Sequence, residues 1–183
     1  MSAHSNIAVF VPHLGCKHLC SFCNQNLITG CHEQVKAEDV DEAVKISLKS
    51  KNYDPENSEI AFFGGSFTAI EKSYMIKLLK AAYKYVLSKE TAGIRISTRP
   101  DAINTEILDI LKCYGVTSIE LGAQSMKDEV LSANNRGHTA QDVYNASELI
   151  KNYGFSLGLQ MMTGLYKSTE SDEIYTAERF AEI

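Results

Sequence analysis

The chain reads as an α/β protein built on about five parallel strands, and three observations lead there. Short apolar runs rich in β-branched and aromatic residues alternate with longer amphipathic ones along the sequence. Two of the amphipathic runs end alike, in LKCYGV and IKNYGF, so that Gly115 and Gly154 follow the last helical turn and a strand begins at once. No linker or low-complexity tract interrupts the alternation, which makes the helices crossovers between parallel strands. Right-handed crossovers would curl such a chain toward a barrel or a doubly wound sheet.

The elements come in the following order. IAVFV (7–11) is the first strand, and residues 37–49 form the first helix. IAFF (60–63) is the second strand. The helix over 71–87 carries the stripe Leu78, Leu79, Ala82, Tyr83 and Val86, which packs on the sheet. IRIS (94–97) is the third strand and 105–114 the next helix; Cys113, on its face, reads as a buried small hydrophobe. SIEL (118–121) is the fourth strand, 140–153 a helix, and FSLGLQM (155–161) the fifth strand. A last helix begins near Ser171.

Composition narrows the function classes. With 183 residues, 44% of them hydrophobic and 22% charged, the chain can bury one substantial core. The N-terminus lacks the basic start and apolar stretch of a secretory signal, and no run reaches the roughly 18 apolar residues of a membrane span. No membrane partner and a cytoplasmic location are therefore expected. A net charge of -5 leaves no electrostatic footprint for nucleic acid on this segment. Five cysteines, three of them within eight residues, favour metal or redox chemistry in a reducing compartment over a disulfide framework.

The polar punctuation all falls after strands. The cysteine loop follows the first, Gly64-Gly65-Ser66 the second, Ser97-Thr98-Arg99 closes the third, Gln124-Ser125 follows the fourth, and residues 160–164 close the fifth. In parallel α/β folds the carboxyl ends of the strands form the rim where ligands bind, in barrels and open sheets alike. One candidate site results.

Its distinctive part is HLGCKHLCSFCNQ, in which Cys16, Cys20 and Cys23 make a C-x3-C-x2-C run. Three thiolates suit an iron-sulfur cubane with one iron left open to an exogenous ligand. They also suit structural zinc, with Cys31, His32, His13 or His18 as the fourth ligand, although such sites usually consist of two ligand pairs. With Phe22 just before its last cysteine, the run resembles that of the radical S-adenosylmethionine enzymes. FFGGSFT, STRPD, IELGAQS, NNRGHT and MMTGLY resemble most the branch containing the catalytic subunit of Elongator, a tRNA-wobble-uridine modifier, and are loosely similar to oxygen-independent coproporphyrinogen oxidases.

The resemblance implies a partial (β/α) TIM-barrel-like domain over residues 1–183. It implies a [4Fe-4S] cluster on Cys16, Cys20 and Cys23, and S-adenosyl-L-methionine reductively cleaved to a 5'-deoxyadenosyl radical. It places Gly64, Gly65 and Ser66 at the methionine end, Ser97, Gln124 and Gln160 near ribose or methionine groups, and Arg136 near the carboxylate, with Phe22 beside the cluster. No catalytic residue beyond these binding groups is implied. A flavodoxin- or ferredoxin-type electron donor and a tRNA substrate, held through regions outside this chain, are the implied partners; the coproporphyrinogen-type resemblance implies a small molecule instead. A zinc-stabilised α/β binding module is the reading from a different class. Arg136 also reads as a solvated helix-end charge, and His138 as a surface or capping residue. The family's radical domain closes around six strands and five are legible here, so the domain is expected to be incomplete at its C-terminus, with apolar surface exposed along the fifth strand and last helix.

Overall fold

The computed structural model describes residues 4–11, 20–23 and 34–183. Its five strands are β1 (Ser5–Val11), β2 (Ser58–Gly64), β3 (Gly93–Thr98), β4 (Val116–Gln124) and β5 (Ser156–Met161). They form one sheet in the order β1-β2-β3-β4-β5, every neighbouring pair parallel. A doubly wound sheet reverses its strand order at a switch point, whereas sequential order is that of a barrel. The order therefore selects the barrel-like arrangement that composition alone left open.

Most strands run a residue or more beyond the apolar runs that announce them. Ser5, Asn6, Ser58, Glu59 and Ser118 all take part in the ladders, because backbone pairing is indifferent to side-chain polarity. β5 starts one residue later than expected, since the Phe155 amide is still closing the preceding helix on the Ile150 carbonyl. That cap, like the one at Gly115, depends on left-handed glycine, with φ of +81° at Gly154 and +70° at Gly115.

The helices are α1 (Ala37–Leu48), α2 (Lys72–Leu87), α3 (Thr105–Cys113), α4 (Asp128–Ala133), α5 (Ala140–Asn152) and α6 (Glu170–Glu182). Asn104 caps α3, and capping boxes open α5 (Thr139 with Asp142) and α6 (Thr169 with Asp172). The short α4 is not expected from the sequence, because six residues do not establish a helical period.

Alternate strand residues divide the sheet into two unlike faces. Ile7, Val9, Ile60, Phe62, Ile94, Ile96, Ile119 and Leu121 join Leu78, Leu79, Leu108, Leu111 and Ile150 from the helices in one core. The opposite face carries a charged row. There Arg95 lies between Glu59 (2.7 Å) and Glu120 (3.0 Å), and the Gln160 amide donates to Glu120 at 2.6 Å, an ionic ladder across β2 to β5. Thr117 and Ser118 donate to the remaining Glu59 oxygen.

Two surface expectations met different outcomes. Cys113 is exposed, not buried, because it faces outward at the C-terminus of α3 while Leu108 and Leu111 take the core side. Apolar exposure near the fifth strand is present: Leu157 and Leu159 are only half-buried, Phe180 and Ile183 of the last segment share their cleft, and Met162 and Ile174 are exposed. Among the described residues no helix is long and apolar enough to cross a membrane.

Candidate functional site

Residues 20–23 form a tight turn in which the Cys23 amide donates to the Cys20 carbonyl at 3.0 Å. A four-residue turn brings the backbones of its first and last residues together, and Cys20 and Cys23 line the same cleft. The turn is held from across the rim by the segment that follows α4. There the Ser21 hydroxyl donates to Asn134 Oδ1 at 2.8 Å and the Ser21 amide to the Asn134 carbonyl at 3.2 Å. Arg136 donates from Nη1 to Cys20 Sγ at 3.0 Å and from Nη2 to the Gly122 carbonyl, and its guanidinium lies 5.8 Å from the Phe22 ring centre. Arg136 is thus a half-buried bridge between the cysteine turn and β4, not a solvated helix-end charge.

One cleft at the carboxyl ends of the strands is lined by Cys20, Phe22 and Cys23 from the turn, Gly64, Gly65 and Ser66 after β2, and Ser97 at the end of β3. Gln124, Gln160 and Arg136 complete it. Every residue given a binding or metal role from the sequence that falls among the described residues lies here, whereas Ser125 and residues 161–164, also named at the strand ends, do not line it. Cys16, together with Cys31, His13, His18 and His32, lies outside the described residues. With two thiols described, no group of three metal-donor side chains is found among the described residues.

The individual groups differ in how they serve the cleft. Gly64 has φ of +110°, and a Cβ there would stand 2.7 Å from the Val11 carbonyl oxygen and 2.9 Å from the Phe10 ring. Glycine is demanded by the backbone and by β1, before any ligand is considered. The Gly65 amide is already committed to Val11 O at 2.8 Å. The Ser66 hydroxyl is buried in a chain with Thr98 (3.0 Å), which continues to Thr68 (2.6 Å). Gln124 holds the left-handed conformation, φ +69°, a sparsely populated state for a residue with a side chain and one that concentrates at functional rims. The Gln160 amide is turned to Glu120.

Two buried polar atoms at the cleft have no partner among the described residues: Ser97 Oγ and Arg136 Nε. A buried polar atom of this kind calls for a water, an ion or a ligand to complete its bonding. An anionic group would satisfy Arg136, and a ligand hydroxyl or amine would satisfy Ser97. Soft thiolates beside a cation and an unpaired hydroxyl match the needs of an iron-sulfur cluster and an amino-acid-bearing cofactor.

Thr98 and Arg99, expected at the rim without an individual role, also line the cleft, as does Gly122, which the sequence did not single out. Gly122 was legible in principle, since it lies two residues before Gln124 on the same face of β4. His138 is neither surface nor cap. It is 6% exposed, with Nε2 3.1 Å from the Ala123 carbonyl and Nδ1 buried without a partner among the described residues. Burial, and secondarily the neighbouring Arg136, holds its pKa below the ordinary histidine value.

Comparison with known proteins adds an independent line. The model of the Radical SAM superfamily matches residues 10–180. The chain is 27% identical over 158 residues to the heme chaperone HemW of Bacillus subtilis, an alignment covering 82% of this chain and 40% of that protein. It is 29% identical to Elongator complex protein 3 of Schizosaccharomyces pombe, covering 74% of this chain and 28% of that one. Among solved structures, the Elp3 of the archaeon Methanocaldococcus infernus superposes with a TM-score of 0.72 at 21% identity, covering 98% of this chain and 42% of its own. Coproporphyrinogen III oxidase of Escherichia coli superposes at 0.65 with 22% identity, covering 99% and 42%. The chain therefore spans between about a quarter and two-fifths of the length of these curated relatives.

Proposed function

The chain belongs to the radical S-adenosylmethionine superfamily, and from that premise we propose that residues 1–183 form a radical core domain that binds a [4Fe-4S] cluster through Cys16, Cys20 and Cys23 and S-adenosylmethionine in the adjoining rim cleft. Held there, a reduced cluster would supply the electron for reductive cleavage of S-adenosylmethionine, with Cys16, Cys20 and Cys23 as the residues that would hold it. The observation that carries this reading is the cleft itself, in which a two-thiol turn converges with an arginine Nε and a serine hydroxyl that have no partner among the described residues.

The residues of the chain divide the work. Arg136 offers a cation to a carboxylate, and its bond to Cys20 ties that anion site to the thiol turn. Ser97 and Gln124 offer donors and acceptors to polar groups of the cofactor. Gly64 and Gly65 form a floor without side chains, and Phe22 shields the turn beside Arg136. A flavodoxin- or ferredoxin-type reductant is required to supply the electron.

For the substrate we take tRNA, because relatives named Elongator complex protein 3 and tRNA uridine(34) acetyltransferase are 29% and 25% identical to the chain. With a net charge of -5, this segment is not expected to supply the main phosphate-binding surface. A small-molecule substrate is the second reading, favoured by the alignment with the heme chaperone over 82% of the chain.

Anaerobic reconstitution with iron and sulfide tests the central reading. Visible absorption that is lost when any one of the three cysteines becomes alanine, and S-adenosylmethionine-dependent release of 5'-deoxyadenosine under reduction, are expected. Stoichiometric zinc with no iron uptake would overturn it in favour of a structural zinc module. Release stimulated by tRNA, and weakened by salt, separates the two substrate readings.

A further inference from the structure

Asn134 is 1% exposed, and every polar group of its side chain is used. Nδ2 donates to the Val130 carbonyl at 2.8 Å and to the Tyr166 carbonyl at 2.9 Å, while Oδ1 accepts from the Ser21 hydroxyl at 2.8 Å. The amide orientation follows from chemistry, because two carbonyls only accept and so must face the nitrogen. The Asn134 backbone carbonyl adds a bond from the Ser21 amide at 3.2 Å. A single side chain therefore joins the cysteine turn, the C-terminal end of α4 and the loop after β5. No other residue type offers one acceptor and two donors in that plane at that length: aspartate would set a carboxylate against two carbonyls, and glutamine is a methylene too long.

We propose that Asn134 is the positioning residue of the rim, fixing the Cys20–Cys23 turn to the loop after β5 so that the thiols keep their place against the cleft. The proposal rests on the reading of those thiols as cluster ligands for its consequence, but not for its geometry. Arg136 also holds the turn, through the Cys20 side chain and over the Phe22 ring. Asn134 differs in gripping the backbone of the turn and in reaching a second loop.

The test uses the full chain without cluster, in three forms: wild type, Asn134→Ala and Ser21→Ala. Hydrogen exchange and alkylation by iodoacetamide are read under reducing, anaerobic conditions, with exposed Cys113 as the internal reference. In Asn134→Ala, exchange at Ser21 and alkylation of Cys20 relative to Cys113 should both rise about tenfold, the consequence of losing a fully used buried amide. Exchange at Ser168, whose amide closes the loop after β5 on Leu165, should rise as well. Ser21→Ala cuts the bond from the other side, so it should accelerate Ser21 and Cys20 while leaving Ser168 unchanged. Should Asn134→Ala unfold because α4 loses its end, Ser21→Ala still decides. Unchanged exchange and alkylation at the turn in Ser21→Ala, or equal effects of both variants at Ser168, overturn the proposal. Reconstitution is measured separately. Faster loss of cluster absorption to a chelator in both variants is the expected consequence, whereas failure of the wild type to take up iron refutes the cluster reading and leaves the clamp standing.

Discussion

Gly64→Ala probes the point where strand geometry and the candidate site meet. At φ of +110° a residue with a Cβ lies outside the common left-handed basin, a strain of about 1–3 kcal/mol. The added carbon would also stand 2.7 Å from the Val11 oxygen, against about 3.4 Å for an ordinary contact. The Phe10 ring, 40% exposed, can turn away at little cost. The Val11 carbonyl cannot, because it is held by the Gly65 amide at 2.8 Å; releasing it adds about 1 kcal/mol. The expected loss is about 3 kcal/mol, a fall in Tm of about 6–12 °C for a chain of this size. Gly154→Ala is the control, since Gly154 has φ of +81° with nothing within 4 Å of a Cβ, so it reports conformational strain alone at about 1–2 kcal/mol. Both variants are measured by urea unfolding at one pH. If Gly64→Ala costs no more than Gly154→Ala, the steric argument is wrong, and Gly64 is glycine for the sake of a ligand or for no structural reason.

Three further outcomes are expected. Arg136→Ala should raise the S-adenosylmethionine concentration needed to alter the reduced cluster's electron paramagnetic resonance spectrum by about tenfold or more, the value of a charge-assisted hydrogen bond; a shift below threefold would leave Arg136 a structural bridge to Cys20 and remove its carboxylate role. Stability should fall on acidification in two windows. His138 is held neutral by burial and its pKa is lowered, so the unfolded chain takes up the proton first and stability drops as pH falls below about 6.5. For Glu59, burial opposes ionisation but the bonds from Thr117, Ser118 and Arg95 outweigh it, and its net-lowered pKa makes stability fall again below about 4.5. Glu59→Gln should therefore destabilise more at pH 7 than at pH 3, and equal losses at both would contradict the assignment. Cys113→Ser should change stability by no more than about 0.5 kcal/mol, and native Cys113 should be alkylated readily; protection from alkylation would restore the buried reading that the structure corrects.

Sequence alone determined the features that arise from local periodicity and from chemical identity. Five apolar runs with helical crossovers dictate a parallel sheet, since parallel strands need a long connection, and the polar punctuation after each run locates the rim. The C-x3-C-x2-C run points to a soft-metal centre through its sulfur donors, and sulfur softness by itself suits iron-sulfur and zinc alike. Tertiary structure decided the rest, because it depends on which residues distant in the chain come to face each other. Strand order chose the barrel-like course over the doubly wound one. The partner of Arg136 lies 116 residues away in Cys20, so the sequence, which offered a helix-end charge and by resemblance a carboxylate contact, could not show this bridge. Asn134 is one of two asparagines in ANNRGH with nothing local to distinguish it, and its role exists only where the cysteine turn and the loop after β5 reach it. Cys113 and His138 exchanged places for the same reason. Helical spacing does not tell which way the last turn of α3 faces, and nothing local to NNRGHT reveals that the Ala123 carbonyl waits inside for a buried imidazole.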